Sequence, residues 1–412
     1  MRAAPGMWRN YALVTAAYWG FTLTDGALRM LVLLYFYQLG YSPFTIALLF
    51  VLYEFFGVVT NLLGGWIASH TGLRATLFGG LALQVIALSL LALMNPDWAA
   101  GLAVAYVMLA QALSGIAKDL TKMSAKSAIK LVVPQGSESA LFRWVAVLTG
   151  SKNALKGAGF FLGGALLAAF GFHTSLWLMA AGLALVLIAS VLALPRAMGR
   201  AKVKVKFKHL LSKSAEINRL SAARFFLFGA RDIWFVVALP LYLAATLGWA
   251  HPQVGAFLAA WVIGYGAVQS LAPAFVRRGQ ADGRLATRWA ALLALATAAI
   301  PLALLAGAPP TLAVTLGLGL FGILFALNSA LHSYLILSYS NADQVTVNVG
   351  FYYMANAAGR LVGTLLSGLV FQLGGLHAAL WAAALFIAAA TVLSLRLPAA
   401  APPLAEARTP PR

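Results

Sequence analysis

The residues of this chain best able to do chemistry are charges set deep inside apolar runs: Asp25, Arg29, Glu54, Lys152, Lys156, Arg231, Asp232 and Arg360. A charge at the centre of a membrane span costs about 2.5–3.5 kcal/mol. Eight of them facing lipid would cost on the order of 20 kcal/mol, more than a typical folding stability. They must face a wet or paired interior. Asp25 and Arg29 are four residues apart, on one helical face, and are expected to pair locally. Even with Asp25, Glu54 and Asp232 all paired, about two of the cations Arg29, Lys152, Lys156, Arg231 and Arg360 are left over. Arginine offers a planar bidentate fork to phosphate, arsenate or carboxylate, and lysine a point charge. The chemistry expected is selection of an oxyanion carrying more than one charge. The three carboxylates would hold the cations in register, and Glu54 or Asp25 is a candidate carrier of a coupling proton. The competing expectation is that these groups are structural pairs locking helices.

Two further groups supplement the deep charges. Lys118, Lys122, Lys126 and Lys130 are spaced by four, one basic stripe on a helix leaving the membrane. Lys118 and Lys122 could draw an anion to a cytoplasmic mouth, whereas Lys126 and Lys130 read as anchors to acidic lipid. Asn328, His332, Ser333, Tyr334, Asn348, Tyr352, Tyr353 and Asn356 form a polar and aromatic set. Tyr352, Asn356 and Arg360 follow one helical face and could complete a site with hydrogen bonds, although most polar residues in membrane helices bond only a neighbouring helix. His332 has no acidic or histidine partner at ligand spacing, so no metal is expected. There is no phosphate-binding GxxxxGK[ST] loop, no nucleophile beside metal-binding acids and no cysteine. No cofactor and no enzymatic activity are expected.

The elements that must position these residues follow from composition. With 62% hydrophobic and 9% charged residues the chain departs far from a soluble domain, and an integral membrane protein is expected. Apolar runs at 11–38, 44–68, 75–94, 99–120, 142–170, 175–194, 220–246, 253–276, 289–307, 312–338, 346–372 and 378–397 predict twelve spans. The first run reads as a retained span rather than a signal peptide. The odd-numbered breaks between spans contain no Lys or Arg, while the even breaks carry Arg74, the cluster Lys122 to Arg143, the central linker, and Arg277, Arg278, Arg284 and Arg288, with one even break, Asn341–Gln344, holding none. That asymmetry puts both termini in the cytoplasm of a cell inner (plasma) membrane. The domains expected are a six-helix bundle over 1–194, a basic cytoplasmic linker over 195–219, a second bundle over 220–397 and a disordered tail over 398–412. The net charge of +19 implies contact with acidic lipid rather than nucleic acid. A 209-residue shift lays Gly20 on Gly229, Pro43 on Pro252, Gly57 on Gly266, Gly150 on Gly359 and Gly159 on Gly368. The fold class expected is therefore an all-α membrane protein of two pseudo-symmetric six-helix halves, with a site between them and access alternating by rocking.

After the second span, GWIASHTGLR (65–74) resembles the loop motif of the major facilitator superfamily, G-x-L-A-D-R-x-G-R-R, through Gly65, Ala68, Gly72 and Arg74. The family's Asp is Ser69 here and its first Arg is His70, so the charge relay of that loop is not carried over. The stretches NYALVTAAYWGFTLTDGALRMLVLLYF (10–36), YEFFGVVTNLLGGW (53–66), QALSGIAKDLTKMSAKSAIKL (111–131) and LTGSKNALKGAGFFLGG (148–164) closely resemble the ArsJ-type organoarsenical efflux permeases of that superfamily. The resemblance implies the superfamily fold and export of 1-arseno-3-phosphoglycerate. That ester forms when glyceraldehyde-3-phosphate dehydrogenase uses arsenate in place of phosphate, so the dehydrogenase is an implied functional partner and arsenate resistance the implied outcome. The arsenic comes from the resemblance; the charges by themselves say polyanion. A permease for another phosphorylated or carboxylated anion is the alternative, and a monomer is expected to suffice.

Overall fold

Glycine sets where the helices break. The computed structural model describes residues 5–132, 138–195, 214–275, 282–340 and 345–398; the loop-motif side chains up to Thr71, the basic linker over 196–213, Arg277, Arg278 and the tail lie outside the described side chains. In chain order the helices are α1 (Pro5–Gln38), α2 (Pro43–Leu49), α3 (Val51–Thr71), α4 (Leu73–Ala92), α5 (Ala100–Val132), α6 (Glu138–Ala193), α7 (Ala215–Phe235), α8 (Ala238–Leu241), α9 (His251–Phe275), α10 (Gly283–Leu305), α11 (Pro310–Ser338) and α12 (Val345–Ser394). No strand occurs among the described residues. Nine helical stretches there are long and apolar enough to cross a membrane. Two of them bend and cross twice: α6 turns at Gly171, whose φ of 72° suits only a residue without a Cβ, and α12 turns at Gly374 and Gly375. With the charge-bearing α1 the crossings among the described residues number twelve.

Two crossings are less regular than the apolar runs predict. The second is split into α2 and α3 at Phe50, after Ser42 caps α2 by accepting from the Thr45 amide at 3.2 Å. The seventh runs through α7, α8 and one π-helical turn, Tyr242–Thr246. Val237 lies between its first two pieces, and the Ser367 hydroxyl accepts from the amides of Val237 and Ala238 at 3.1 Å each. A side chain from α12 thus satisfies the amides freed by the break. α7 also begins earlier than expected, at Ala215, behind Ser214, which hydrogen bonds to Glu216.

The crossing that carries Arg231 and Asp232 is the most deeply packed among the described spans. The stretch Ala215–Thr246 is 89% buried, against 28% for Gly283–Leu305. Large apolar side chains such as Leu192, Leu295, Leu305 and Leu385 are exposed on the outer helices, the surface that lipid would cover.

Close helix crossings at glycine repeat in the two halves. A methyl group on Gly159 would sit 2.5 Å from Leu23 O, and α1 and α6 can cross there only because none is present. Gly359 makes the equivalent contact with Phe225 O, and Gly363 follows on Gly229 O. Gly359 is therefore the partner of Gly159, where the uniform 209-residue shift matched Gly159 to Gly368. The halves share a crossing but not a constant sequence offset, because loops and helix breaks differ in length between them. Gly359→Val is expected to destabilise the protein by about 3 kcal/mol or more, since a backbone carbonyl cannot step aside for two methyl groups. Thermal unfolding of the purified protein tests this, and a variant melting with the wild type would mean that the crossing is looser than it looks.

The halves meet tightly at the end bearing the loops without Lys or Arg. Methyl groups at Gly164, Gly255 and Gly157 would lie 2.5, 2.7 and 2.8 Å from His251 O, Phe160 O and Ala259 O across the interface, and Gly368 packs on Pro43 O. Gln372 accepts from the Phe44 amide at 3.2 Å. Toward the other end the spacing relaxes: a methyl at Gly150 would first meet Ser270 Oγ at 3.4 Å, and one at Gly350 would meet only Asn61 O, at 4.0 Å.

Candidate functional site

The glycine crossings bring the charges together. The α1–α6 crossing at Gly26 and Gly159 sits beside Asp25 and Lys156, whose Oδ2 and Nζ are 3.5 Å apart. Where α7 crosses α12 at Gly229, Gly359 and Gly363, Asp232 Oδ2 accepts from Arg360 Nε at 3.0 Å. A third close approach, Gly115 against Tyr53 O at 2.5 Å for a methyl, draws α5 against α3 and brings Lys118, Asp119 and Lys122 to the residues that follow Tyr53. In each case a small residue allows the backbones close enough for shorter charged side chains to meet.

Glu54 is at the centre. It is fully buried, and its Oε1 accepts from Arg29 Nη2 at 2.6 Å and from Arg360 Nη2 at 2.7 Å. Arg360 thereby holds an acid from each half, Glu54 on α3 and Asp232 on α7. Asp232 Oδ1 takes Arg231 as well, with Nε at 2.7 Å. The result is one alternating chain, Arg29–Glu54–Arg360–Asp232–Arg231, which runs across the interface between the halves. The local pair expected between Asp25 and Arg29 does not form. Arg29 reaches across to Glu54, its guanidinium 5.2 Å from the ring centroids of both Phe50 and Tyr53, and Asp25 accepts from Tyr53 Oη at 2.6 Å. Spacing by four puts two residues on one face, but neighbouring helices supply better-placed partners.

A fourth buried acid was not singled out from the sequence. Asp119 has no exposed surface, accepts from Thr60 Oγ1 at 2.6 Å and pairs with Lys122 at 2.8 Å; Lys122 also donates to Asn61 Oδ1 at 2.8 Å. Its position in AKDLTK, amid lysines at the end of an apolar run, disguised it as part of a solvated helix end. The signal that could have found it is the spacing of Ser114, Lys118 and Thr121 beside it, a polar face continuing inward along α5. Lys118 Nζ lies 4.0 Å above the Tyr53 ring.

These groups surround a cavity of about 80 Å³ between the halves. Its walls include the cations Lys118, Lys122, Lys152, Lys156 and Arg360 and the acids Asp25, Glu54 and Asp119. Cations outnumber acids five to three, so the excess of positive charge survives discovery of the extra acid. Arg29 lies just behind the wall on Glu54, and Arg231 shares Asp232 with Arg360. The volume suffices for a few waters but not for an organic phosphate, whose pockets run to several hundred Å³.

Not every expected site residue reaches this cavity. Arg231 turns away, its guanidinium 5.0 and 5.7 Å from the ring centroids of Phe228 and Phe325. Tyr352 is fully buried under Arg224, with 5.0 Å between guanidinium and ring, and Asn356 lies between Tyr352 and Arg360 without lining the cavity. Of the remaining polar set, Tyr334 is exposed, Ser333 donates back to Ser329 O, and Asn348 donates to Ser340 Oγ. No cluster of three or more potential metal ligands occurs among the described residues. The side chains of Lys126 and Lys130 lie outside the described set.

This arrangement can hold a small oxyanion by charge at the interface of two half-bundles. A family model described as Major Facilitator Superfamily matches the chain over residues 14–230 and 220–411. No curated protein matches it.

Proposed function

Because the chain belongs to the major facilitator superfamily, whose members are secondary membrane transporters rather than enzymes, we propose that it exports an anionic organoarsenical, 1-arseno-3-phosphoglycerate, by alternating access. The observation that carries the polyanion part is the five-to-three excess of cations around one cavity between the halves. The arsenic rests on the likeness of residues 10–36, 53–66, 111–131 and 148–164 to the organoarsenical efflux permeases.

In the proposed cycle the empty site is held by its own acids. Glu54 and Asp232 occupy Arg360, and Asp25 occupies Lys156. An arriving phosphate or arsenate end competes for those cations, with Lys152 and Arg29 adding charge. Once Arg360 turns to the substrate, the Glu54–Arg360 link between the halves is lost, and rocking opens the end now sealed by the glycine contacts. A released Glu54 or Asp25 is the proposed acceptor of a driving proton. Lys118 and Lys122 line the approach from the basic end, where they raise the local anion concentration. Glyceraldehyde-3-phosphate dehydrogenase is the proposed supplier of substrate, an inner (plasma) membrane with both termini in the cytoplasm the proposed setting, and a monomer the proposed working unit.

Arsenate tolerance of a sensitive bacterial host tests the reading. The chain is expected to confer tolerance only when the dehydrogenase is co-expressed, with 1-arseno-3-phosphoglycerate breakdown products appearing outside the cell. Unchanged sensitivity, combined with flux of another phosphorylated or carboxylated anion in vesicles, would replace the arseno-ester by that anion and leave the site's chemistry intact.

A further inference from the structure

In the half formed by α7 to α12, a second buried polar group lies apart from the cavity. Arg224 on α7 is 3% exposed, and its Nη1 donates to Ser329 O and Ser329 Oγ at 3.1 Å each. Its guanidinium lies 3.9 Å from the Phe228 ring centroid and 5.0 Å from that of Tyr352. No carboxylate stands within ion-pair distance of it among the described residues. On α11, His332 lies one turn after Ser329 and Asn328 one turn before His332, so His332 neighbours both on the helix surface. Arg224 Nε, both polar atoms of the Asn328 amide and both ring nitrogens of His332 are buried without a hydrogen-bond partner among the described residues.

Such a cluster is a poor way to hold helices together. A buried cation without a counter-charge and several orphaned polar atoms all cost stability that an apolar side chain would not. The donors of arginine, amide and imidazole suit an anion with several acceptor oxygens, and no acid is present to attract a cation. Arg224 precedes Asp232 by eight residues and Tyr352 precedes Arg360 by eight, which sets the cluster about 12 Å along both helices from the Arg360 pair. Asn356, with a buried and unpartnered Oδ1, continues the polar line along α12 between the two.

We propose that Arg224, Asn328 and His332 form a second oxyanion subsite, which takes the far end of an elongated organic dianion while its near end is held by Arg360 and the lysines of the cavity. The proposal rests on the reading of this protein as an organic-anion exporter and assigns the residues that would make it prefer two-ended anions.

The test uses the full chain in nanodiscs of zwitterionic lipid, so that no headgroup supplies the anion. The probes are 3-phosphoglycerate, anionic at both ends, and inorganic phosphate. Wild-type protein is expected to bind 3-phosphoglycerate about tenfold more tightly than inorganic phosphate, and Arg224→Met to remove that preference by lowering 3-phosphoglycerate affinity about tenfold. The ligand-free melting temperature of Arg224→Met should not fall, because an uncompensated buried charge has been replaced by an apolar side chain of similar length. Asn328→Leu, which keeps the cation, should lose part of the preference. Undiminished preference in both variants overturns the subsite while leaving the exporter reading standing. A fall in melting temperature of Arg224→Met together with full preference in Asn328→Leu makes the cluster structural and also overturns it. Wild-type protein that binds neither probe overturns the subsite and the exporter reading together.

Discussion

Arg360→Ala is expected to lower export roughly 100-fold or more, corresponding to about 3 kcal/mol of lost interaction with a charged partner, while the protein still inserts and folds. The reason folding should survive lies in the charge count around it. Removing Arg360 leaves Glu54 with Arg29 at 2.6 Å and Asp232 with Arg231, so each carboxylate keeps one cation. What disappears is the only group among the described residues seen to pair with an acid from each half. Arg360→Lys should fail nearly as badly, because a point charge cannot address Glu54 through one nitrogen and Asp232 through another as the guanidinium fork does. Glu54→Gln is the contrasting variant. It strands Arg29 without its acid and leaves Arg360 to Asp232 alone, and the loss should appear as instability of about 3–5 kcal/mol as well as lost flux. Arsenate tolerance measured beside membrane abundance separates the two outcomes, and normal tolerance of Arg360→Ala would defeat the assignment.

Lys156→Ala should raise the substrate concentration needed for half-maximal export by about tenfold or more, in line with removal of one charge-assisted contact. Lys156 stands 3.5 Å from Asp25 and lines the cavity, so a loss of function by itself would be ambiguous. The ammonium could matter only because it neutralises the acid. Adding Asp25→Asn resolves this. If neutralisation is its whole role, the double variant regains the wild-type half-maximal concentration; if Lys156 holds the anion, that concentration stays high although no unpaired acid remains. Recovery to the wild-type level in the double variant would remove Lys156 from the binding set. Vesicle uptake with a range of substrate concentrations gives both values.

Much of the site was legible as residue types but not as pairs. A charge inside an apolar run is expensive wherever the chain goes, so Arg29, Glu54, Lys152, Lys156 and Arg360 could be picked out without knowing their neighbours. Asp119 escaped because a sequence window sees the lysines beside it, not the depth to which α5 carries it. Arg224 stands close to the start of its apolar run, where a sequence window cannot tell a solvated helix end from a buried position, and it is almost fully buried against Ser329. Arg231 shows the converse: its depth marked it for the site, and Asp232 next to it in the chain takes it out.

The amino-acid sequence alone determined the class of solvent, the helical content, the number of crossings and the excess of positive charge within them. Those depend on side-chain transfer energies and on chain length, which are local quantities. The tertiary structure decided which acid each cation meets, that Glu54 and Asp232 share Arg360 across the two halves, and that the halves touch at one end and part toward the other. Such pairings depend on how closely two backbones approach, and here that closeness is permitted by glycines more than a hundred residues apart in the chain, a relation that no local stretch of sequence contains.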